Sequence, residues 1–316
     1  MNRHRLGSTD VSVTELSFGA AALGNLFTPV DDETAAATIE AVWAGGIRYF
    51  DTAPHYGLGL SERRLGAVLR GKPRHEFTIS TKVGRLLEPV ERPAGMDTEG
   101  FAVPATHRRR FDFSADGVRR SLESSLDRLG LDRVDIALIH DPDLHADQAI
   151  REAFPALAKL RASGVVGAIG VGMNQTGVLT RFIRETDVDV VLLAGRFTLL
   201  DRSAADALLP AAVERGVSVL AGGVFNSGLL AEPSETATYD YRAAPPDLVR
   251  RARAMAAACE SYGIPLRAAA VRFPLTHPSV ASVVIGARSP YEINDALDNR
   301  GLDVPAALWP ALAGMV

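Results

Sequence analysis

The chain carries one cysteine, Cys259, in 316 residues. That excludes an intramolecular disulfide and any metal cage built from several thiolates of one chain. The stretch from Met255 to Glu260 is Ala-rich and helical in pattern, so Cys259 is expected to be a small packed residue and not a nucleophile. No uninterrupted apolar run reaches membrane-spanning length. The opening residues, MNRHRLGSTD, have no apolar core of a secretory signal, and a reducing, cytoplasmic setting is the expectation. Charge of one sign is also lacking: Lys+Arg 34 against Asp+Glu 38 leaves −4. A nucleic-acid footprint or a membrane-binding face is therefore not expected. The one dense positive spot, Arg108, Arg109 and Arg110, reads as a solvated loop. The paired His-x-His of metal-dependent barrel hydrolases is missing, and His4, His75, His107 and His277 fall away from the strand ends, so no metal is expected. The glycine-rich dinucleotide fingerprint is incomplete too, since Gly170-x-Gly172 is followed by Gln175.

What is present is a repeated alternation of short β-branched runs and amphipathic windows, with 47% hydrophobic residues to fill a large core. A hairpin over residues 3–13 is expected first, then a strand near Glu15–Phe18 ending at Gly19. Asp31, Asp32 and Glu33 open a helix, an acidic start suited to the dipole, which runs to Ala44 and stops at Gly45-Gly46. Further strands end at Asp51, Lys82 and His140, with a helix from Ser114 to Leu129 before the last of these. Four more strands are expected at Ala168–Val171, Val188–Leu193, Val217–Ala221 and Ser282–Ile285. Helices lie between them at about 146–162, 175–185, 203–215 and 247–276, the last broken by Gly263 and Pro265. Eight such alternations predict one (β/α)8 barrel domain over residues 1–316. An open doubly wound sheet is the rival. Residues 84–113 and 223–246 are long, Pro- and Gly-bearing loops that follow strands and read as cover over the functional face.

Three strands end in residues that move or polarise a proton. Ile47 to Phe50 leads into Asp51, with Tyr56 just beyond; Phe77 to Thr81 leads into Lys82; Ile136 to Ile139 leads into His140. In a parallel barrel these side chains meet at the C-terminal edge. A phenol titrates near 10, too high for efficient exchange at neutral pH, and a neighbouring ammonium favours its ionised form. Lys82, aimed by Asp51, fits that role beside Tyr56, and His140 would bind the same substrate oxygen. Each residue also has an ordinary reading: a turn cap, a surface lysine, a packed ring, a core histidine. It is their joint placement at successive strand ends that favours a shared site.

DTAPHYG followed by SER-x-LG, STKVG and SLESSLDRLGLDRVDIALIHDPD resembles the aldo-keto reductases over essentially the whole chain. The resemblance implies a (β/α)8 barrel, a nicotinamide cofactor held without a Rossmann domain, and a catalytic tetrad of Asp51, Tyr56, Lys82 and His140. Within the family, LSFGAAALGNLF, HDPD and GGVFNSGLL look like the aldose 1-dehydrogenase group, which oxidises cyclic sugars at the anomeric carbon to lactones. The resemblance places Gly19 and Asn174 at the cofactor, the latter on the carboxamide. It places Asn226, Ser227, Gly228 and Leu229 on the pyrophosphate. A stacking tyrosine of the family falls at Gly222, so that platform is either missing or supplied by Phe225. The segment from Gly286 to Glu292 would meet the adenosine ribose. Its Glu292 could accept a 2′-hydroxyl and repel a phosphate, or could be an acid at a helix N-terminus, whereas Arg288 suits a phosphate. NAD is expected over NADP. His55 and Asp141 are candidate partners of substrate hydroxyls.

The expected function is NAD(P)-dependent oxidation of an aldose, with a small-molecule sugar or aldehyde as partner. Alternatives are an aldehyde or ketone reductase, a pyridoxal dehydrogenase, or a non-catalytic nucleotide-binding subunit. The last is disfavoured by the complete tetrad and by the absence of a partner-binding extension. The sequence leaves the oligomeric state open.

Overall fold

The computed structural model describes residues 1–315. A hairpin of β1 (Arg3–Arg5) and β2 (Ser12–Thr14) comes first. It plugs the base of a barrel: Leu6 is fully buried, and the Gly7 N–H donates to Ser218 Oγ at 2.9 Å. The barrel begins with β3 (Leu16–Gly19), β4 (Tyr49–Asp51) and β5 (Thr78–Val83). An antiparallel ribbon of β6 (Arg85–Pro89) and β7 (His107–Phe111) then leaves it. The ring resumes with β8 (Ile136–His140), β9 (Ala168–Met173), β10 (Val190–Ala194) and β11 (Ser218–Gly222). A smaller ribbon, β12 (Thr238–Tyr239) and β13 (Arg242–Ala243), precedes β14 (Val280–Gly286), which closes the barrel on β3. The eight parallel strands form the closed barrel expected, and the open-sheet rival is excluded.

Strand periodicity divides the core into two layers. Tyr49, Ile136, Leu138, Ala168, Val190 and Leu220 pack inside the barrel, while Phe50, Ile79, Ala137, Ile139, Val191 and Val219 pack outward beneath the helices. The two-residue repeat that buries Tyr49 therefore also turns Asp51 inward, and Lys82 and His140 follow the same rule on their strands. Register sets their level: Asp51 lies opposite Ser80, Lys82 opposite Leu138, and His140 opposite Gly172.

Helices α1 (Asp32–Ala44) and α3 (Ala115–Leu129) match their capping signals, with Asp31 accepting from the Thr34 N–H and Ser114 from the Gly117 N–H. Between them α2 (Leu60–Leu69) was not foreseen. Its interior Gly66 weakens the helical pattern, yet packing requires it: a Cβ there would lie 2.1 Å from the Leu129 carbonyl oxygen of α3. The helix expected at 146–162 is not uniform. It starts as α4 (Ala146–Gln148), widens to a π turn at Ala149–Ala153 and continues as α5 (Phe154–Ala162). Pro155, which has no N–H for a hydrogen bond back to the previous turn, accounts for the slip. Next come α6 (Thr176–Glu185) and α7 (Leu208–Arg215), the latter preceded by a separate 3-10 turn at Ser203–Ala205. The break at Gly263 and Pro265 separates α8 (Pro246–Ser261) from α9 (Leu266–Arg272) as expected, and Cys259 is buried there. Two terminal helices, α10 (Pro290–Gly301) and α11 (Leu308–Ala313), were also unforeseen. Among the described residues no helix is long and apolar enough to cross a membrane.

One ion pair fastens α2 to α3 directly behind β5. Glu62 is fully buried, accepts from Thr81 Oγ1 at 2.7 Å, and pairs with Arg128 Nε at 2.5 Å. Removing Arg128 leaves a carboxylate uncompensated in the interior, a change that typically costs about 3–5 kcal/mol. Arg128→Ala should lower unfolding stability by that order in urea denaturation. A loss under about 1 kcal/mol, the worth of an exposed pair, would contradict this assignment.

Candidate active site

The C-terminal edge of the barrel collects the predicted tetrad. Lys82 and Asp51 are nearly fully buried and joined at 2.6 Å between Nζ and Oδ2. The remaining Lys82 protons go to the Thr52 carbonyl at 3.0 Å and to the Tyr56 phenol oxygen at 3.1 Å. All three ammonium donors are thus used, and the side chain is fixed. Gly172 makes room for it, since a Cβ there would stand 3.3 Å from Lys82 Cε. The His140 ring lies perpendicular to that of Tyr56, with centroids 5.9 Å apart. Tyr56, Lys82, Asp51 and His140 form one constellation.

The electrostatics correct one expectation. Burial pushes Tyr56 up to about 12, and the neighbouring Lys82 only moderates that rise. Burial also works against the charge on Lys82, but Asp51 and Tyr56 more than compensate, and the ammonium titrates above its ordinary value. Both local histidines are held neutral. His55 falls to about 2 through burial and the cations Arg85, Arg109 and Lys82, and His140 is driven well below its usual range by burial, Arg85 and Lys82.

His55 and Asp141 both join the group. His55 meets His140 ring to ring at 5.7 Å. Asp141, in a left-handed backbone conformation at φ 41°, places Oδ2 3.5 Å from His140 Nε2. Two arginines that the sequence reading had not singled out for the site reach in from the ribbon of β6 and β7. Arg85 pairs with Asp141 at 2.5 Å. Arg109 forms a bidentate pair with Asp97 at 2.6 and 3.0 Å and donates to the His55 carbonyl. The arginine triplet is therefore no uniform solvated loop: Arg108 is largely exposed, whereas Arg109 is only 4% exposed and part of the site wall. Strand alternation would have shown this had residues 107–111 been read as a strand. The remainder of the 84–113 cover is seated by apolar contacts. Phe101 and Val103 pack with Leu58, Leu26 and Tyr56, and Phe101 lies 6.1 Å from the Tyr56 ring.

The proposed cofactor residues line the adjoining rim. Gly19 and Gly286 are paired at the ends of β3 and β14 and leave that edge free of side chains. Asn174 follows β9 directly, and Phe225 packs partly buried against the outer core. Asn226, Ser227 and Gly228 follow one another at φ 46°, 60° and 108°. Within this turn the N–H groups of Asn226, Gly228 and Leu229 donate to the carbonyls of Gly223, Phe225 and Asn226. Asn226 donates from Nδ2 to the Gly195 carbonyl, while its buried Oδ1 has no partner. Arg288 Nε is likewise buried without a partner. An unused buried acceptor at Asn226 and an unused buried guanidinium nitrogen at Arg288 are two polar groups that a nicotinamide dinucleotide could satisfy. Glu292 takes the helix N-terminal place: its carboxylate accepts the Arg288 N–H at 2.9 Å, and its own N–H donates to Ser289 Oγ, a reciprocal helix cap. Among the described residues no cluster of His, Cys, Asp and Glu is arranged to hold a metal ion.

A model of the aldo/keto reductase family matches residues 15–306. The chain is 49% identical to a D-threo-aldose 1-dehydrogenase from a Pseudomonas species, covering 96% of this chain and 94% of that one. It is 39% identical to a pyridoxal 4-dehydrogenase from Microbacterium luteolum, covering 98% and 96%. A solved glycerol dehydrogenase from Gluconobacter oxydans superposes with a TM-score of 0.80 at 25% identity, covering 99% of this chain and 94% of that one.

The two neutral histidines make stability depend on pH. Their folded-state values lie below the unfolded value near 6.5, so the unfolded chain binds more protons once the pH drops past that point. Their contribution is intact above about pH 6.5 and falls on acidification by up to about 1.4 kcal/mol per pH unit per histidine. Urea titrations at pH 7, 6 and 5 should show a steeper loss for wild type than for His55→Asn. Parallel slopes would rule out a buried neutral His55.

Proposed function

Because the chain belongs to the aldo/keto reductase family, we propose that it is an NAD(P)-dependent aldose 1-dehydrogenase. In this reading the whole chain acts as one barrel unit in the cytoplasm. It oxidises the anomeric carbon of a cyclic sugar to a lactone. The observation that carries the proposal is the 3.1 Å contact between the buried Lys82 ammonium and the Tyr56 phenol, with His140 across the same opening. The 49% identity to a D-threo-aldose 1-dehydrogenase supports the substrate class.

Tyr56 takes the proton of the anomeric hydroxyl, and Lys82 stabilises the negative charge on its oxygen as the proton moves. Asp51 keeps Lys82 charged and aimed. His140, neutral, donates from Nε2 to the substrate oxygen and fixes its distance from the phenol. Asp141 and His55 lie beside that oxygen and bind neighbouring hydroxyls; the carboxylate accepts, and Arg85 holds it in place. Nicotinamide, when bound, would supply the hydride acceptor for the anomeric carbon. Asn174 would hold its carboxamide, Asn226 to Leu229 its pyrophosphate, and Gly286, Arg288 and Glu292 its adenosine end. Gly19 leaves space at the rim.

Since burial keeps Tyr56 protonated at neutral pH, oxidation should accelerate as pH rises, while reduction, which needs the protonated phenol, should not. Activity is assayed with NAD or NADP against L-fucose, D-arabinose, L-galactose and pyridoxal. Turnover of pyridoxal but of no sugar would move the assignment to the reaction named for the 39% relative. Tyr56→Phe should reduce turnover by about 10²–10⁴ with cofactor affinity little changed; retained turnover contradicts the role.

NAD is the preferred cofactor in this reading, because the Glu292 carboxylate adds negative charge where a 2′-phosphate would sit. Catalytic efficiency should be higher with NAD, and Glu292→Gln should narrow the gap. Greater efficiency of the wild type with NADP would overturn the preference.

A further inference from the structure

Asp51 Oδ2 is taken by Lys82, and Oδ1 accepts from Ser80 Oγ at 2.7 Å. Ser80 Oγ in turn lies 2.9 Å from the phenol oxygen of Tyr49. The direction of this chain follows from donor counting. An ionised carboxylate only accepts, so the single Ser80 proton goes to Asp51, and Tyr49 must donate to Ser80. Tyr49 and Ser80 are both fully buried, inside the barrel and below the substrate opening. Neither is needed there for packing alone, since phenylalanine and alanine would fill such positions without a hydroxyl to satisfy.

We propose that Tyr49 and Ser80 are positioning residues for the reaction: a hydroxyl chain rising from the barrel interior that fixes the Asp51 carboxylate and, through it, the Lys82–Tyr56 contact. The proposal rests on the reading of Tyr56 as the group that exchanges the proton. Burial and the nearby Asp51 keep the Tyr49 phenol protonated well above its ordinary range, so it remains a donor at any working pH. The Ser80 hydrogen bond draws negative charge from Asp51. Losing it either strengthens the anionic field at Tyr56 or lets Asp51 take the proton of Lys82. Both outcomes hold the Tyr56 proton more tightly, so the sign is the same by either route. The other charged or titratable groups facing Tyr56 are Lys82 on β5, Arg85 on the ribbon, His140 and Asp141 at the end of β8, and His55 beside it. None of these touches Ser80 or Tyr49 in the hydrogen-bond network of the described residues.

The test uses Tyr49→Phe, Ser80→Ala and the double variant in the full-length protein, with Tyr56→Phe as reference. For whichever sugar the wild type oxidises, the alkaline rise of kcat should move upward by about one pH unit. Turnover at neutral pH then falls about tenfold while KM stays within about twofold. The double variant should lose no more than Ser80→Ala, because both substitutions break one chain. A second readout needs no substrate. In protein isotope-labelled at the oxygen-bearing ring carbon of tyrosine, the Tyr56 resonance, assigned through Tyr56→Phe, should shift in Ser80→Ala. Those of Tyr239, Tyr241, Tyr262 and Tyr291 should stay in place. Absence of sugar turnover by the wild type would defeat the functional reading and leave this resonance to decide the positioning chain. An unmoved pH profile or an unmoved Tyr56 resonance, with only thermal stability reduced, would falsify the inference.

Discussion

The ammonium of Lys82 beside the carboxylate of Asp51 is the interaction on which the rest of the molecule is organised. Two charges taken from water into a barrel interior lose hydration worth several kcal/mol each, and their mutual attraction restores this only when every remaining lone pair and proton is also met. The fold meets them from three directions. The Thr52 carbonyl and the Tyr56 phenol complete the lysine, and Ser80 completes the aspartate. The strand register that brings Asp51 opposite Ser80 is therefore also what makes a buried charge tolerable. Gly172 contributes by having no side chain where Lys82 passes. A pair held in this way has little freedom to rearrange, and its field at the phenol is correspondingly constant.

A second layer of the architecture controls water. The ribbon of β6 and β7 brings Arg85 and Arg109 over the opening, each with its own carboxylate, while Phe101 covers the Tyr56 ring. Burial, reinforced by nearby cations, keeps the imidazoles of His55 and His140 neutral. A neutral imidazole can still donate a hydrogen bond, and it adds no second positive charge beside Lys82. One ammonium beside two neutral rings follows first from the enclosure of the rings and then from the position of Arg85.

The barrel was legible in the sequence because its strands are short, apolar and bounded by glycines, and because α1 and α3 carry clear caps. The convergence of Asp51, Lys82 and His140 was legible for the same reason: each stands directly after an apolar run. What escaped detection had a local conflict between pattern and packing. Gly66 hides α2 while allowing its close approach to Leu129. Pro155 disturbs an otherwise regular window. Arg109 is polar in sequence and buried in fact; it escaped because residues 107–111 read as part of a loop, and its partner Asp97 lies elsewhere in the same cover. The rise in Tyr56 basicity was also out of reach, since it depends on how completely the phenol is enclosed and not on which residues are near it.

Ring closure depends on the pairing of β14 with β3, and Ser282 Oγ meets Ser17 Oγ at 2.7 Å across a separation of 265 residues. β14 is the last of the eight strands to be synthesised, and the edges of β3 and β11 that it fills have no partner before then. The loop-closure entropy of that contact weighs on folding speed more than on final stability.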